Sequence, residues 1–503
     1  MTRSKGWMPA AAACLALAAV VAASSQIPQD LSWGVQAADP ATTTEQTSVS
    51  VKPVGAAQLI CPGPQQQGLE NAAVPEQEQT VRVEAIHPPA EAIPGIVLEQ
   101  AQGASEVAIQ DVPESAETVT GTDAADRIEL LIDGPQGALV KATGALSPGI
   151  STWQSHLAFT EGRRGLEVMQ CGEAATEHWL IGGGGEPARL ERLVLVNPSA
   201  DPVTVDISVY GVDGLASSTS SQGVVVPGND RAIVLLDAIA PGQSSPVVRV
   251  QAASGEIAAY LGDRWMDGTT GAGLETLGSA PEPALEQLIP GVVIREDAAG
   301  ASLRVAVPGA DSGIVTVSAF SADGQVELQQ DVTVVEGEHV EDISLADLPS
   351  GTYSLQVTSD VPAVAAAQVR TAPGEDDETG LAWLSAAPEF DGALGVPVRA
   401  LADGNSAWTL HMATTDADGG SISLARVAQD GVVSVEEITV PAGQPVSVEI
   451  SADDQSWLFG ANGGVRSMLS VRASDDTGDL IAASPLRGST LTRGLTQVRP
   501  DLP

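Results

Sequence analysis

Lysine is almost missing from this sequence: 503 residues contain only Lys5, Lys52 and Lys141, and the formal net charge is −42. A surface this acidic repels phosphate backbones, which excludes nucleic acid as a partner and leaves solubility as the ordinary role of the charge. Aromatic residues are 3% of the chain, so its cores have to be aliphatic. There are five histidines, His87, His156, His178, His339 and His411, and none stands in an HExxH helix. There is no GxSxG elbow either, so the motifs that place a base beside a nucleophile are missing. With 65 acidic residues, no carboxylate pair is singled out for glycosidase chemistry. The expectation is a protein that is not an enzyme and needs no cofactor.

Cysteine is equally scarce. Of three, Cys14 falls inside an apolar run, which leaves Cys61 and Cys171. Neither belongs to a CxxC pair, and His178 stands alone near Cys171. An even pair in an exported chain reads as one disulfide. Closing a loop of roughly 110 residues is worth about 4 to 5 kcal/mol in the chain-entropy model.

The amino terminus supports export. Arg3 and Lys5 precede an uncharged run from Trp7 to Ala23, the layout of a secretory signal or, uncleaved, of a signal anchor. Residues 1–23 are therefore read as a signal peptide or anchor, and residues 24–56, rich in Ser, Thr, Gln, Ala and Pro, as a flexible spacer. The membrane enters only through the first segment. The expected location is extracellular or in the cell envelope.

What the chain does contain is a repeat. "LVLVNPSADPVTVDISVYGVDG" from Leu193 returns as "LRVAVPGADSGIVTVSAFSADG" from Leu303 and as "LHMATTDADGGSISLARVAQDG" from Leu410. Each copy opens on a short apolar strand, alternates apolar and polar residues with a period of two, and ends in Asp-Gly: strand, loop, strand, turn. Later segments of the copies also correspond, giving six or seven short strands in about 105 to 110 residues, the size of an immunoglobulin-like sandwich. A propeller repeats at about 40 to 50 residues and does not fit. The fold class is all-β: three clear immunoglobulin-like β-sandwich repeats at 186–289, 290–393 and 394–503, behind a diverged amino-terminal β domain at 57–185. In that domain "RIELLIDG", "GLEVMQC" and "EHWLIGG" are strand candidates, and the polar stretch after Cys61 and "GEDDETG" from Gly374 are exposed loops.

Three features of the sequence are candidate sites. Gly182–Gly185 resembles a phosphate-cradling loop but leads into a strand instead of a helix, so it reads as a linker. Asp416 and Asp418 alternate as in a calcium loop, without the distal bidentate Glu, and are weak calcium candidates beside the plainer reading of a polar turn. Trp179, Trp265 and Trp383 near unit ends read as packing between neighbours, whereas Trp408 and Trp457 are the candidates for ligand contact at the surface.

"ICPGP" from Ile60, "HWLIGGGGEPARLERLVLVNPSADPVTVDISVYGVDG" from His178 and "VTSDVPAVAAAQV" from Val357 resemble large exported actinobacterial proteins catalogued as a domain of unknown function. The resemblance runs from about Leu59 to the carboxyl terminus. It implies an all-β envelope protein and carries no catalytic residue to any position. The expected function is a structural or interaction role, binding an envelope protein or cell-wall polysaccharide. The alternatives are a carbohydrate-active enzyme or its sugar-binding accessory module, and a membrane-tethered regulator that senses the wall.

Overall fold

In Val203–Gly211, Val203, Val205, Ile207 and Val209 are buried while Thr204, Asp206 and Ser208 are only half-buried on the opposite face, as the period of two requires. The hairpin that follows turns through Val212 and Asp213, and Gly214, paired with Gly211, takes φ +92°. The second repeat does the same, with Gly324 paired to Ser321 at φ +117°. In the third, Gly431 has φ +81° and Asp430 lies outside the described residues. In the first two repeats the glycine thus sits just beyond the two-residue turn, with Asp as the second turn residue.

The computed structural model describes residues 50–495 except 66–78, 90–91, 94–103, 115–117, 124–126, 160–163, 269, 327, 329–330, 375–377, 400–405, 429–430 and 452–453. Residues 1–23, read from the sequence as a signal peptide or anchor, and most of 24–56, read as a spacer, lie outside this range. The end of the spacer is a strand: Ser50–Pro53 pairs with Thr492–Leu495.

Four β-sandwiches follow one another in Val51–Leu495, a single compact unit. The second shows their plan. Its strands, in order, are Glu177–Ile181, Arg189–Asn197, Val203–Gly211, Val224–Val226, Asp230–Leu235, Val247–Ala252, Ala258–Asp267 and Thr270–Leu277. One sheet has the order first, sixth, third, fourth, and the other fifth, second, seventh, eighth. All four sandwiches keep this order, including the amino-terminal one whose sequence had diverged. In the third, the sixth and seventh strands run on as one long strand, Gly351–Arg370, which serves both sheets.

Two boundaries move from the sequence reading. Glu177–Ile181, expected in the first domain, pairs with Val247–Gln251 and opens the second sandwich. Ala284–Ile294 pairs with the long strand and opens the third, so that sandwich begins before residue 290. Both are first strands lying across a sheet from the repeated stretch, so the repeat's own start gave no hint of them. The cores are aliphatic, as the composition demands, each drawing on both sheets of its sandwich.

Candidate functional site

The four sandwiches meet through their eighth strands, Gly165–Gln170, Thr270–Leu277, Leu381–Ser385 and Gly478–Leu486. Each is an edge strand, and each packs against the eighth strands of its neighbours, first to second, second to third, third to fourth and fourth back to first. Glycine allows the approach. A Cβ on Gly165 would lie 2.7 Å from Leu274 Cβ, one on Gly273 2.3 Å from Leu381 Cβ, and one on Gly380 3.1 Å from Leu480 Cα. The signal is present in the sequence as Gly165-Leu166-Glu167, Gly273-Leu274-Glu275, Gly380-Leu381-Ala382 and Gly478-Asp479-Leu480. It lies outside the 22-residue repeat and was missed.

Two residues of that motif are buried carboxylates. Glu275 is 2% exposed and accepts the backbone N–H groups of Trp383 and Ala483, which ties the second sandwich to the third and fourth. Glu167, fully buried, accepts from Gln154 Nε2, Thr276 Oγ1 and Gln79 Nε2. Burial raises both acids above the ordinary carboxylate range, only partly offset by these donors, and the charges of Asp263 and then Glu167 raise Glu275 further. Gln65 Nε2 donates to Glu275 O and Thr276 Oγ1. Gln65 and Gln79 are both buried, so the stretch after Cys61, expected as an exposed loop, is anchored at both ends. Its middle, 66–78, lies outside the described residues.

At the junction of the second and third sandwiches, Asp263 is fully buried. It accepts two bonds from Arg189, at 2.8 and 2.7 Å, one from Gly183 N at 3.2 Å and one from Trp383 Nε1 at 2.8 Å. Burial alone would raise its carboxyl, but the Arg189 charge and these donors hold it below its usual range. Gly184 N donates to Glu191 Oε1. The glycine loop at 182–185 is therefore an anion cradle after all, and the anions it holds are the chain's own carboxylates.

The tryptophans follow the same logic. Trp383, 1% exposed, lies under the Arg304 guanidinium at 4.6 Å, and Trp179, 3% exposed, lies under Arg249. Arg189 and Arg370 both lie over the Trp265 ring, at 5.0 and 4.2 Å from its centroid. Trp408 and Trp457, expected at the surface, are buried at 3% and 0%. Trp408 belongs to a second strand and donates to Arg399 O. Trp457 packs on Gly395 and Ile86 against the first sandwich. With so few aromatics to fill cores and junctions, the largest rings are drawn inside, and neither is a surface ligand contact. Asp416 and Asp418 are exposed, and Asp416 Oδ1 accepts Asp418 N in a turn. Among the described residues no group of three or more His, Cys, Asp or Glu side chains is placed to hold a metal ion.

Cys61 and Cys171 form the disulfide, with Cα atoms 4.8 Å apart and a sequence separation of 110. Cys171 also lines a cleft of about 610 Å³ where the eighth strands end. The cleft's walls are apolar where Met169, Leu277, Trp383 and Pro485 contribute and polar where His178, Ser385, Glu173, Glu282 and Arg487 do. His178 is 5% exposed. Its Nε2–H donates to Ile257 O, and its Nδ1 has no partner. Burial lowers its pKa, so the ring is neutral and Nδ1 is an acceptor.

Fold and site together define a class: an all-β protein of four like sandwiches whose eighth strands share one buried polar junction, with a cleft at its end. The chain belongs to DUF5719, a family of unknown function, which matches residues 119–451, from the fourth strand of the first sandwich to the end of the fifth strand of the last. No curated protein matches it. Among solved structures it is similar to an α-L-rhamnosidase from Streptomyces avermitilis complexed with L-rhamnose, at 10% identity and a TM-score of 0.13 over 76% of this chain. The chain spans 55% of that enzyme's length. It is also similar to a tetra-tandem repeat from the extending region of a large adhesion protein, at 14% identity and a TM-score of 0.11, over 77% of this chain and 92% of the other. Likeness at this level carries no functional argument.

Proposed function

We propose that the protein is a noncatalytic exported component of the cell envelope, with a structural or interaction role, that contacts an envelope protein or polysaccharide at the cleft. The observation that carries this reading is where the reactive groups go. Asp263, Glu275 and Glu167, with the ring of Trp383, are spent on fixing four sandwiches to one another. The cleft keeps unpartnered polar groups on a rigid frame, which suits recognition. The disulfide supports an oxidising compartment.

The test is binding of the purified chain to isolated cell-wall polysaccharide and to solubilised envelope proteins, with crosslinking from a cysteine placed at Thr490 on the cleft. Saturable binding or a crosslink that blocking the cleft abolishes is the expected result. Release of a cleaved product from any of these materials overturns the noncatalytic reading.

A further inference from the structure

The cleft has a charge pattern that the junction behind it lacks. Glu177, on its wall, is spent: it accepts from Arg249 at 2.7 Å and from Trp179 Nε1 at 2.8 Å. Glu173, Glu282 and Arg487 are exposed, and among the described residues none of the three makes an ion pair. They stand on three different sandwich ends: Glu173 follows the eighth strand of the first, Glu282 that of the second, and Arg487 that of the fourth. The cleft therefore offers both signs of charge at its rim and an apolar wall.

A ligand that uses all of these has a cationic group, an anionic group and a small apolar body. A neutral sugar would leave the rim charges idle. It would also lack a stacking face, because Trp383 is 1% exposed and lies under Arg304. The volume, about 610 Å³, is that of a small-molecule site. We propose that the cleft binds a short peptide by its free ends, with the amine held between Glu173 and Glu282 and the carboxylate on Arg487. This rests on the reading of the cleft as the recognition surface and names the chemistry it recognises.

The test is calorimetric titration of the full-length chain, at low salt, with trialanine, N-acetyl-trialanine, trialanine amide and the trimer of N-acetylglucosamine. Trialanine is expected to bind at one site, and capping either end to weaken it about tenfold, the loss of one charge-assisted bond. Arg487→Gln should remove the penalty for amidation and keep that for acetylation. Glu173→Gln with Glu282→Gln should do the reverse. These three side chains are exposed, so the variants should keep the wild-type melting temperature, which serves as the control. Equal binding of free and capped peptides overturns the proposal, and so does binding of the sugar alone, which leaves the recognition reading standing. Binding of no probe, together with no crosslink at the cleft to any envelope material, overturns both.

Discussion

Gly273 and Leu381 touch across the junction of the second and third sandwiches, with no room for a side chain on the glycine: a Cβ there would lie 2.3 Å from Leu381 Cβ and 2.7 Å from its backbone nitrogen. Gly273 also has φ +126°, a conformation closed to residues with a Cβ. Gly273→Ala should therefore cost about 3 kcal/mol or more, from strain and overpacking together. Gly300→Ala, where nothing lies within 4 Å of the added Cβ, should stay within about 0.5 kcal/mol of wild type. Urea unfolding of the two variants checks this. Equal losses would mean that the eighth strands do not approach as closely as described.

Arg189 and Asp263 form an ion pair at 1% and 0% side-chain exposure. Removing one partner strands the other charge in the interior, at a cost of about 3 to 5 kcal/mol, while replacing both can be nearly neutral. Asp263→Ala and Arg189→Met should each be severely destabilised, and the double variant should be more stable than either. Part of the Asp263 loss will persist in the double variant, because Gly183 N and Trp383 Nε1 also lose their acceptor. A double-mutant cycle by urea unfolding measures the coupling, and additive losses would mean that the pair does not act as a unit.

Two buried groups give opposite pH dependences. Glu191 is pushed up to about 7 by burial, with the Gly184 N–H opposing and the Asp263 charge adding to the rise. Its folded-state value lies above its ordinary one of 4.5, so its contribution is complete below pH 4.5 and is lost as pH rises to about 7. Glu191→Gln cannot ionise. Relative to wild type it should gain on the order of 3 kcal/mol between pH 4.5 and 8. His411 is held down at about 4 by burial between the Ser447 and Ser470 hydroxyls. Its contribution is complete above pH 6.5 and is lost as pH falls towards 4. His411→Gln should flatten the acid limb of the stability curve. Unfolding midpoints from pH 4 to 8 decide both, and parallel curves for all three proteins would refute the two assignments.

The repeat, the aliphatic cores and the disulfide were legible because each rests on a local or compositional signal: period-two alternation in Val203–Val209, few aromatics, and two cysteines left after the apolar run. The junction was not. Glu167 and Glu275 are two acids among 65, and only the packing of edge strands distant in the chain shows that they are buried. Trp408 and Trp457 went astray for a related reason. Nothing in their neighbourhoods distinguishes a ring facing solvent from one facing another sandwich, and at Trp457 the other sandwich supplies Ile86. The recurring Gly-Leu pair could have been found, since Gly165-Leu166, Gly273-Leu274 and Gly380-Leu381 are visible in the sequence. Its meaning, that the glycine of one sandwich seats the leucine-bearing strand of the next, exists only in three dimensions.

Cys61 ends the first strand of the amino-terminal sandwich and Cys171 follows its eighth, so the bond joins that sandwich's two sheets beside the cleft. The same two segments are held without it. Ile60 and Gly172 exchange both backbone hydrogen bonds, at 2.8 and 3.2 Å, and Tyr260 from the second sandwich donates its hydroxyl to Ile60 O while accepting Gly172 N. The folded state should therefore survive reduction nearly unchanged, and the loss should fall on the unfolded chain, which regains the freedom of a loop 110 residues long. Cys61→Ala with Cys171→Ala should cost about 4 to 5 kcal/mol in urea unfolding, with a folded-state circular dichroism spectrum like that of wild type. A loss below about 1 kcal/mol would mean that the unfolded chain already keeps these segments together. A changed folded spectrum would mean that the backbone bonds and Tyr260 do not hold the sheets on their own.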